Sequence, residues 1–182
     1  MAELPKITPD SFEILVVREL RKAGLEVAQV RVHRRTELPK PEGGGFLLEL
    51  RAWLSRAGWG KRALIACRRQ EGVIGGDAID TLAQRLAEAQ ADVGLLFATA
   101  DFTPDALAGG EERGIALLRL VDARTTYDTG GWGTPGHYPS WLPAYLVQVI
   151  DRDTAGQTRA RLLEAGRADL VVERLRPKGG QP

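Results

Sequence analysis

Residues 91–118 read ADVGLLFATADFTPDALAGGEERGIALL, and the fold is decided there. Residues 93–98 form a continuous apolar run of strand length, the pattern of a strand covered on both faces. Thr103-Pro104-Asp105 opens a short helix, with the proline suited to the first helical position, and Gly114 ends it. Residues 115–121 are a second strand of the buried kind. A strand, a short helix and a strand at this spacing imply a right-handed parallel crossover, and therefore an α/β protein.

Working towards the N-terminus, Asp77 follows glycines 75 and 76 and is expected to cap a helix with Ile79, Leu82, Ala83, Leu86 and Ala89 on one face. Residues 46–54 and 62–67 read as strands that pair antiparallel, joined by a hairpin loop over 55–61. A turn is expected over 39–45. Residues 25–32 read as a strand whose alternation slips between Val27 and Val30, the signature of a bulge. The first helix carries Phe12, Leu15, Val16, Leu20 and Ala23 at helical intervals and closes at Gly24. Asp10 and Glu13 stand in capping-box spacing at its start.

Towards the C-terminus the character changes. Residues 129–143 concentrate glycine, proline, Trp132, Tyr138 and Trp141 without periodicity, so an irregular segment is expected. Residues 145–150 read as a strand, 158–165 as a helix and 176–182 as a frayed end. The organisation expected is one domain over 1–126 and a C-terminal extension over 127–182, too small to fold alone. The sheet is expected to be mixed, of about four or five strands, with helices on its flanks.

Composition narrows the function. At 182 residues with 43% hydrophobic and 27% charged residues, the chain has the make-up of a globular protein with one core. It carries no apolar run long enough to span a bilayer and no signal pattern at its start, so a cytoplasmic location is expected. The single cysteine, Cys67, with only His33 and His137 beside it, excludes an internal disulfide and a Cys/His zinc cluster. The net charge of +1 is unevenly spread, since residues 18–69 hold 13 Lys or Arg against 5 Asp or Glu. That half is basic enough to meet a polyanion. Phosphate-loop, serine-elbow and zincin motifs do not occur.

Four stretches resemble the catalytic domain of Mrr-like restriction endonucleases, in the PD-(D/E)xK nuclease superfamily. Phe12-Glu13, the apolar helix and Gly24-Leu25-Glu26-Val27 resemble its first helix and strand. ALIACRR at 63–69 resembles its strand ending in Q/E-x-K, and the helix from Asp77 to Ala89 the one that follows. The stretch quoted first resembles its later strand, FT-x-x-A helix start and last strand. The likeness runs over residues 11–122 and implies a restriction-endonuclease-like core, double-stranded DNA as partner and magnesium as cofactor.

Such nucleases hold magnesium between carboxylates on neighbouring strands, beside a lysine that helps deprotonate the attacking water. By resemblance, Glu49 matches the strand aspartate, Ala66 the Q/E position and Arg68 the lysine position, and Glu13 resembles a first-helix acid that can join the metal site. Two of the three strand positions depart. Alanine has no ligating atom, and arginine does not exchange its proton near neutral pH. Ala66 and Arg68, two apart on a strand, are expected to line the metal cleft. The reading is therefore a DNA-binding protein with a degenerate catalytic motif. Glu49, Arg68 and Glu13 are its candidate catalytic residues, and Glu49 and Glu13 its candidate metal ligands. Arg34, Arg35, Arg51, Arg56 and Arg69 are candidate DNA contacts, with Arg68 and Arg69 read as phosphate-contacting or surface groups.

Plainer readings stand beside these. Glu49 also reads as a solvent-facing hairpin residue and Glu13 as a capping partner, while Cys67 reads as core packing. Trp53 and Trp59 with Arg51, Arg56, Lys61 and Arg62 form an aromatic and basic surface that stacks on DNA or packs under its basic stems. Two other functions compete: an active magnesium endonuclease with a migrated site built on Glu13, Glu49 and Arg68, and an interaction module forming a homodimer through the C-terminal extension.

Overall fold

The computed structural model describes residues 6–38 and 44–177. Helix α1 (Pro9–Ala23) begins under Thr8, whose hydroxyl accepts from the Ser11 amide at 3.2 Å, and ends at Gly24 in the left-handed region. Asp10 lies inside the first turn, so the cap is Thr8 and not the Asp10–Glu13 box. Strand β1 (Glu26–Glu37) pairs with β2 (Phe46–Arg56) through two register shifts, between Ala28 and Arg31 and between Val32 and Arg34. The first shift carries Gln29 at φ 54°, the bulge that the slipped alternation foretells. Of the turn expected over 39–45, residues 39–43 lie outside the described residues.

β2 and β3 (Trp59–Arg69) form a long hairpin whose turn is only Ala57 and Gly58, at φ 38° and 83°. Positive φ at both turn residues matches the twist of the strands, so the ladder extends through most of the loop expected at 55–61. Helix α2 (Gly76–Glu88) starts from Gly75 without a side-chain cap, and Asp77 sits in its first turn. β4 (Val93–Ala98), α3 (Pro104–Arg113) and β5 (Ile115–Asp122) form the parallel crossover, with Thr103 capping α3 and Gly114 closing it. α4 (Ala123–Thr129) leads into an irregular segment where Tyr127 meets Trp132 and Tyr138 edge-on. β6 (Tyr145–Arg152), β7 (Thr158–Leu162) and α5 (Asp169–Val172) follow.

The strands make one seven-stranded sheet in chain order, wider than the four or five expected. β1 to β3 are antiparallel, β3 to β5 parallel, and β5 to β7 antiparallel again. The C-terminal extension thus adds two strands to the same sheet. The helix expected over 158–165 is instead strand β7. Its alternate residues Arg159 and Arg161 both bind Asp151, a carboxylate only 2% exposed on the neighbouring strand.

Both sheet faces are covered. On one, Phe12, Leu15, Val16 and Leu20 of α1 pack against Leu48, Leu50, Ile65, Cys67, Leu95, Phe97 and Leu118, joined from the chain end by Leu170, Val171 and Leu175. On the other, Ile79 and Leu82 of α2 and Leu107 of α3 pack against Leu64, Ala66, Leu96 and Leu117. Each such large side chain removed from water contributes about 1.5–3 kcal/mol, which holds the helices to the sheet. No helix among the described residues is long and apolar enough to cross a membrane.

Candidate nuclease-like site

Strand pairing assigns each candidate residue to a face, because directly opposed residues of an antiparallel pair point the same way. Glu49 opposes Ala66, Leu47 opposes Arg68 and Arg51 opposes Leu64, so all six stand on the α2 face. Cys67 points to the α1 face, where burial and then the nearby Glu13 carboxylate push its thiol far up, leaving no thiolate for chemistry. Glu13, carried by α1, therefore stands on the opposite side of the sheet from Glu49.

Ala66 is 3% exposed and packed among Ile79, Leu82 and Leu96. The expectation that Ala66 lines an open cleft is thereby corrected: the position is part of the core. Arg68 is partly buried, its Nε donating to the side chain of Gln70, which in turn donates to the Gly72 carbonyl at 2.8 Å. Burial lowers the pKa of its guanidinium while Asp77 opposes that shift.

Glu49 is 1% exposed, so the solvent-facing reading is corrected. Arg85 of α2 lies over it: Nε donates to Oε1 at 3.1 Å and to Oε2 at 3.2 Å, and Nη2 to Oε2 at 3.0 Å. The same Nη2 lies 3.0 Å from His33 Nε2, and Nη1 is paired with Glu88. Since arginine has no acceptor, Nε2 of His33 must accept, and the ring is neutral in this contact. Burial first, then the charges of Arg51 and Arg85, lower the His33 pKa accordingly. His33 is the extra residue of the second β1 bulge, which turns it inward to reach Arg85.

These residues do not fit magnesium. Both oxygens of Glu49 are occupied by a guanidinium, Ala66 offers no ligating atom, and Glu13 stands across the sheet. Among the described residues, no three His, Cys, Asp or Glu side chains come together as a metal site. A fixed organic cation sits against Glu49, where nucleases built on this plan hold a divalent ion.

The sequence reading missed Arg85. Its signal was spacing: Ala78, Leu82, Arg85 and Ala89 recur at the inward positions of α2, so an arginine stands where the pattern calls for an apolar residue. The candidate DNA contacts are divided. Arg34 and Arg51 rise from the Glu49 face, while Arg35 and Arg56 oppose Leu48 and Trp59 on the other, and all four are exposed. Arg69 is only 5% exposed and donates to the Gly44 carbonyl at 2.8 Å, so it is a structural residue and not a surface contact.

A mixed sheet with α1 on one face, α2 and α3 on the other, and a strand carboxylate beside a parallel crossover defines the restriction-endonuclease-like class. A family model described as restriction endonuclease, for the Mrr catalytic domain, matches residues 4–125. The chain belongs to that family. No curated protein and no solved structure matches it.

Proposed function

We propose that this member of the restriction endonuclease family binds double-stranded DNA and has lost phosphodiester hydrolysis, with no use for magnesium. The Glu49–Arg85 pair carries the reading. Hydrolysis in this family depends on a cation held by carboxylates and a group that exchanges protons. Here the one strand carboxylate is neutralised by Arg85, the second position is a core alanine, and the third is an arginine that keeps charge without proton exchange. Arg34, Arg35, Arg51 and Arg56 flank the β1 edge on both of its sides and supply phosphate contacts. With its DNA, the protein works in the cytoplasm.

Two assays test the reading together. Purified protein incubated with supercoiled plasmid and magnesium or manganese leaves the plasmid intact; nicking abolished by Glu49→Ala would overturn the proposal in favour of an active endonuclease. Duplex retardation at low salt weakens with added salt, with a log–log slope of about −4 for four phosphate contacts. Combined Arg34→Ala, Arg35→Ala, Arg51→Ala and Arg56→Ala flattens that slope.

One observation favours a second reading. Trp132 and Trp141 in the C-terminal extension are 45% and 71% exposed, apolar surface that a second copy of the chain would cover. A homodimer in light scattering that is lost on Trp141→Ser, with no duplex retardation, would make the protein an interaction module instead.

A further inference from the structure

Beyond the C-terminal end of α2, on the Glu49 face, the outer strands open into a cleft of about 410 Å³ whose lining includes Gln29, Arg31, Arg51, Trp53, Arg62 and Gln90. Its size is that of sites for small organic ligands. Arg31 and Arg51 are direct cross-strand partners on this face, and neither has a carboxylate partner among the described residues. Like charges directly opposed destabilise a sheet, so the pair is a standing cost to the fold that an anion between them would relieve. Arg62 differs, because Asp92 takes its Nε at 3.2 Å and its Nη2 at 3.0 Å; it serves as a wall.

Trp53 is two residues from Arg51 on the same face, about 7 Å along the strand. Its ring lies over Gly60, where an added Cβ would meet Cζ2 at 2.6 Å, and the side chain remains 39% exposed. The glycine lets the indole lie down on the sheet and present its other face. Gln29 and Gln90 hold φ of 54° and 53°, at a bulge and just past a helix end, where glycine is the easier residue. The third non-glycine residue at positive φ among those described, Ala57, belongs to the hairpin turn. Strained conformations bearing carboxamides thus stand at two rims of one cleft, a pattern that gathers at ligand sites.

We propose that this cleft seats one unpaired nucleotide, its phosphate between Arg31 and Arg51 and its base stacked on Trp53. Paired guanidiniums match the oxygens of a phosphate, and the indole matches the flat face of a base. Neither half alone calls for a nucleotide; the two at one residue spacing do. That the nucleotide comes from DNA rests on the reading given under Proposed function, since a free mononucleotide has the same chemistry.

The experiment uses the whole chain with four probes: a duplex, a short oligodeoxythymidylate, deoxyadenosine monophosphate and inorganic phosphate, followed by retardation and tryptophan fluorescence. The single strand and the mononucleotide quench the fluorescence. Trp53→Leu weakens both by about tenfold or more, Trp53→Phe restores most of the loss, and Arg31→Gln weakens both while duplex retardation stays within about twofold. Circular dichroism and the Trp53→Phe rescue separate lost stacking from lost folding. Binding by the single strand but not the mononucleotide assigns the seat to DNA. The proposal is overturned if Trp53→Leu binds both probes as the wild type does, or if inorganic phosphate competes as well as the mononucleotide. A wild type that retards duplex but takes neither probe also ends it, while leaving the DNA-binding reading standing. Trp53-dependent mononucleotide binding without duplex retardation removes the duplex reading and keeps the seat.

Discussion

Replacing Arg85 by leucine leaves the Glu49 carboxylate, 1% exposed, beneath α2 without the guanidinium that binds it, its cross-strand neighbour Arg34 being exposed to solvent. Breaking a buried ion pair by removing one partner costs about 3–5 kcal/mol, because the remaining charge is neither solvated nor compensated. The Arg85 side chain keeps 16% of its exposure, so some water already reaches the site and the lower end of that range applies. For a chain of this length each kcal/mol shifts the melting temperature by about 2–4 °C, so Arg85→Leu should melt about 6–12 °C below the wild type. Removing both charges with Glu49→Leu and Arg85→Leu should return stability to within about 1 kcal/mol, since a buried pair and an apolar pair of similar volume are nearly equivalent. Scanning calorimetry of the wild type, both single variants and the double variant gives the coupling directly. A melting temperature for Arg85→Leu within about 2 °C of the wild type would refute the reasoning, because Glu49 would then have another source of compensation.

Three further outcomes follow from the geometry. The fold lowers the His33 pKa from its ordinary 6.5, so on acidification the unfolded chain takes up a proton that the folded chain resists; stability present above pH 6.5 is lost below it, and His33→Gln should flatten the fall in melting temperature between about pH 7 and 5. Burial pushes the Asp151 carboxyl up, but Arg159, Arg161 and Arg174 together outweigh it and hold it below the usual carboxylate range. Asp151→Asn should cost about 2–3 kcal/mol in urea unfolding, moderated because the arginines are partly solvated. Gly114→Ala meets both a φ of 67° and the Pro177 ring at 2.8 Å, and should cost more than about 1 kcal/mol in the same measurement.

Much of the fold was legible because its deciding signals are local. The apolar run of β4, the Thr103-Pro104 helix start and Gly114 each specify their own conformation, and the crossover follows from their spacing. The bulge in β1 showed as a break in alternation. β7 was misread because residues 158–165 suit a helix locally; what makes residues 158–162 a strand is the buried Asp151 on β6, a tertiary fact. The Glu49–Arg85 pair was hidden in the same way. Glu49 and Arg85 are 36 residues apart, and only the packing of α2 across β2 and β3 reveals that the carboxylate already has its cation. The placement of Ala66 followed the same logic, since period-two geometry gave its face correctly but could not say that α2 covers that face.

Because each strand of the sheet lies beside the one made just before it, the polypeptide never has to insert a late segment between two earlier ones. It can zip its sheet strand by strand as it leaves the ribosome, with little search for distant partners. The exception is the segment after β7: Leu170, Val171 and Leu175 return to close the layer that α1 began. Residues 170–175 must therefore be made before that greasy flank is sealed, and until then a nascent chain has reason to keep a chaperone close.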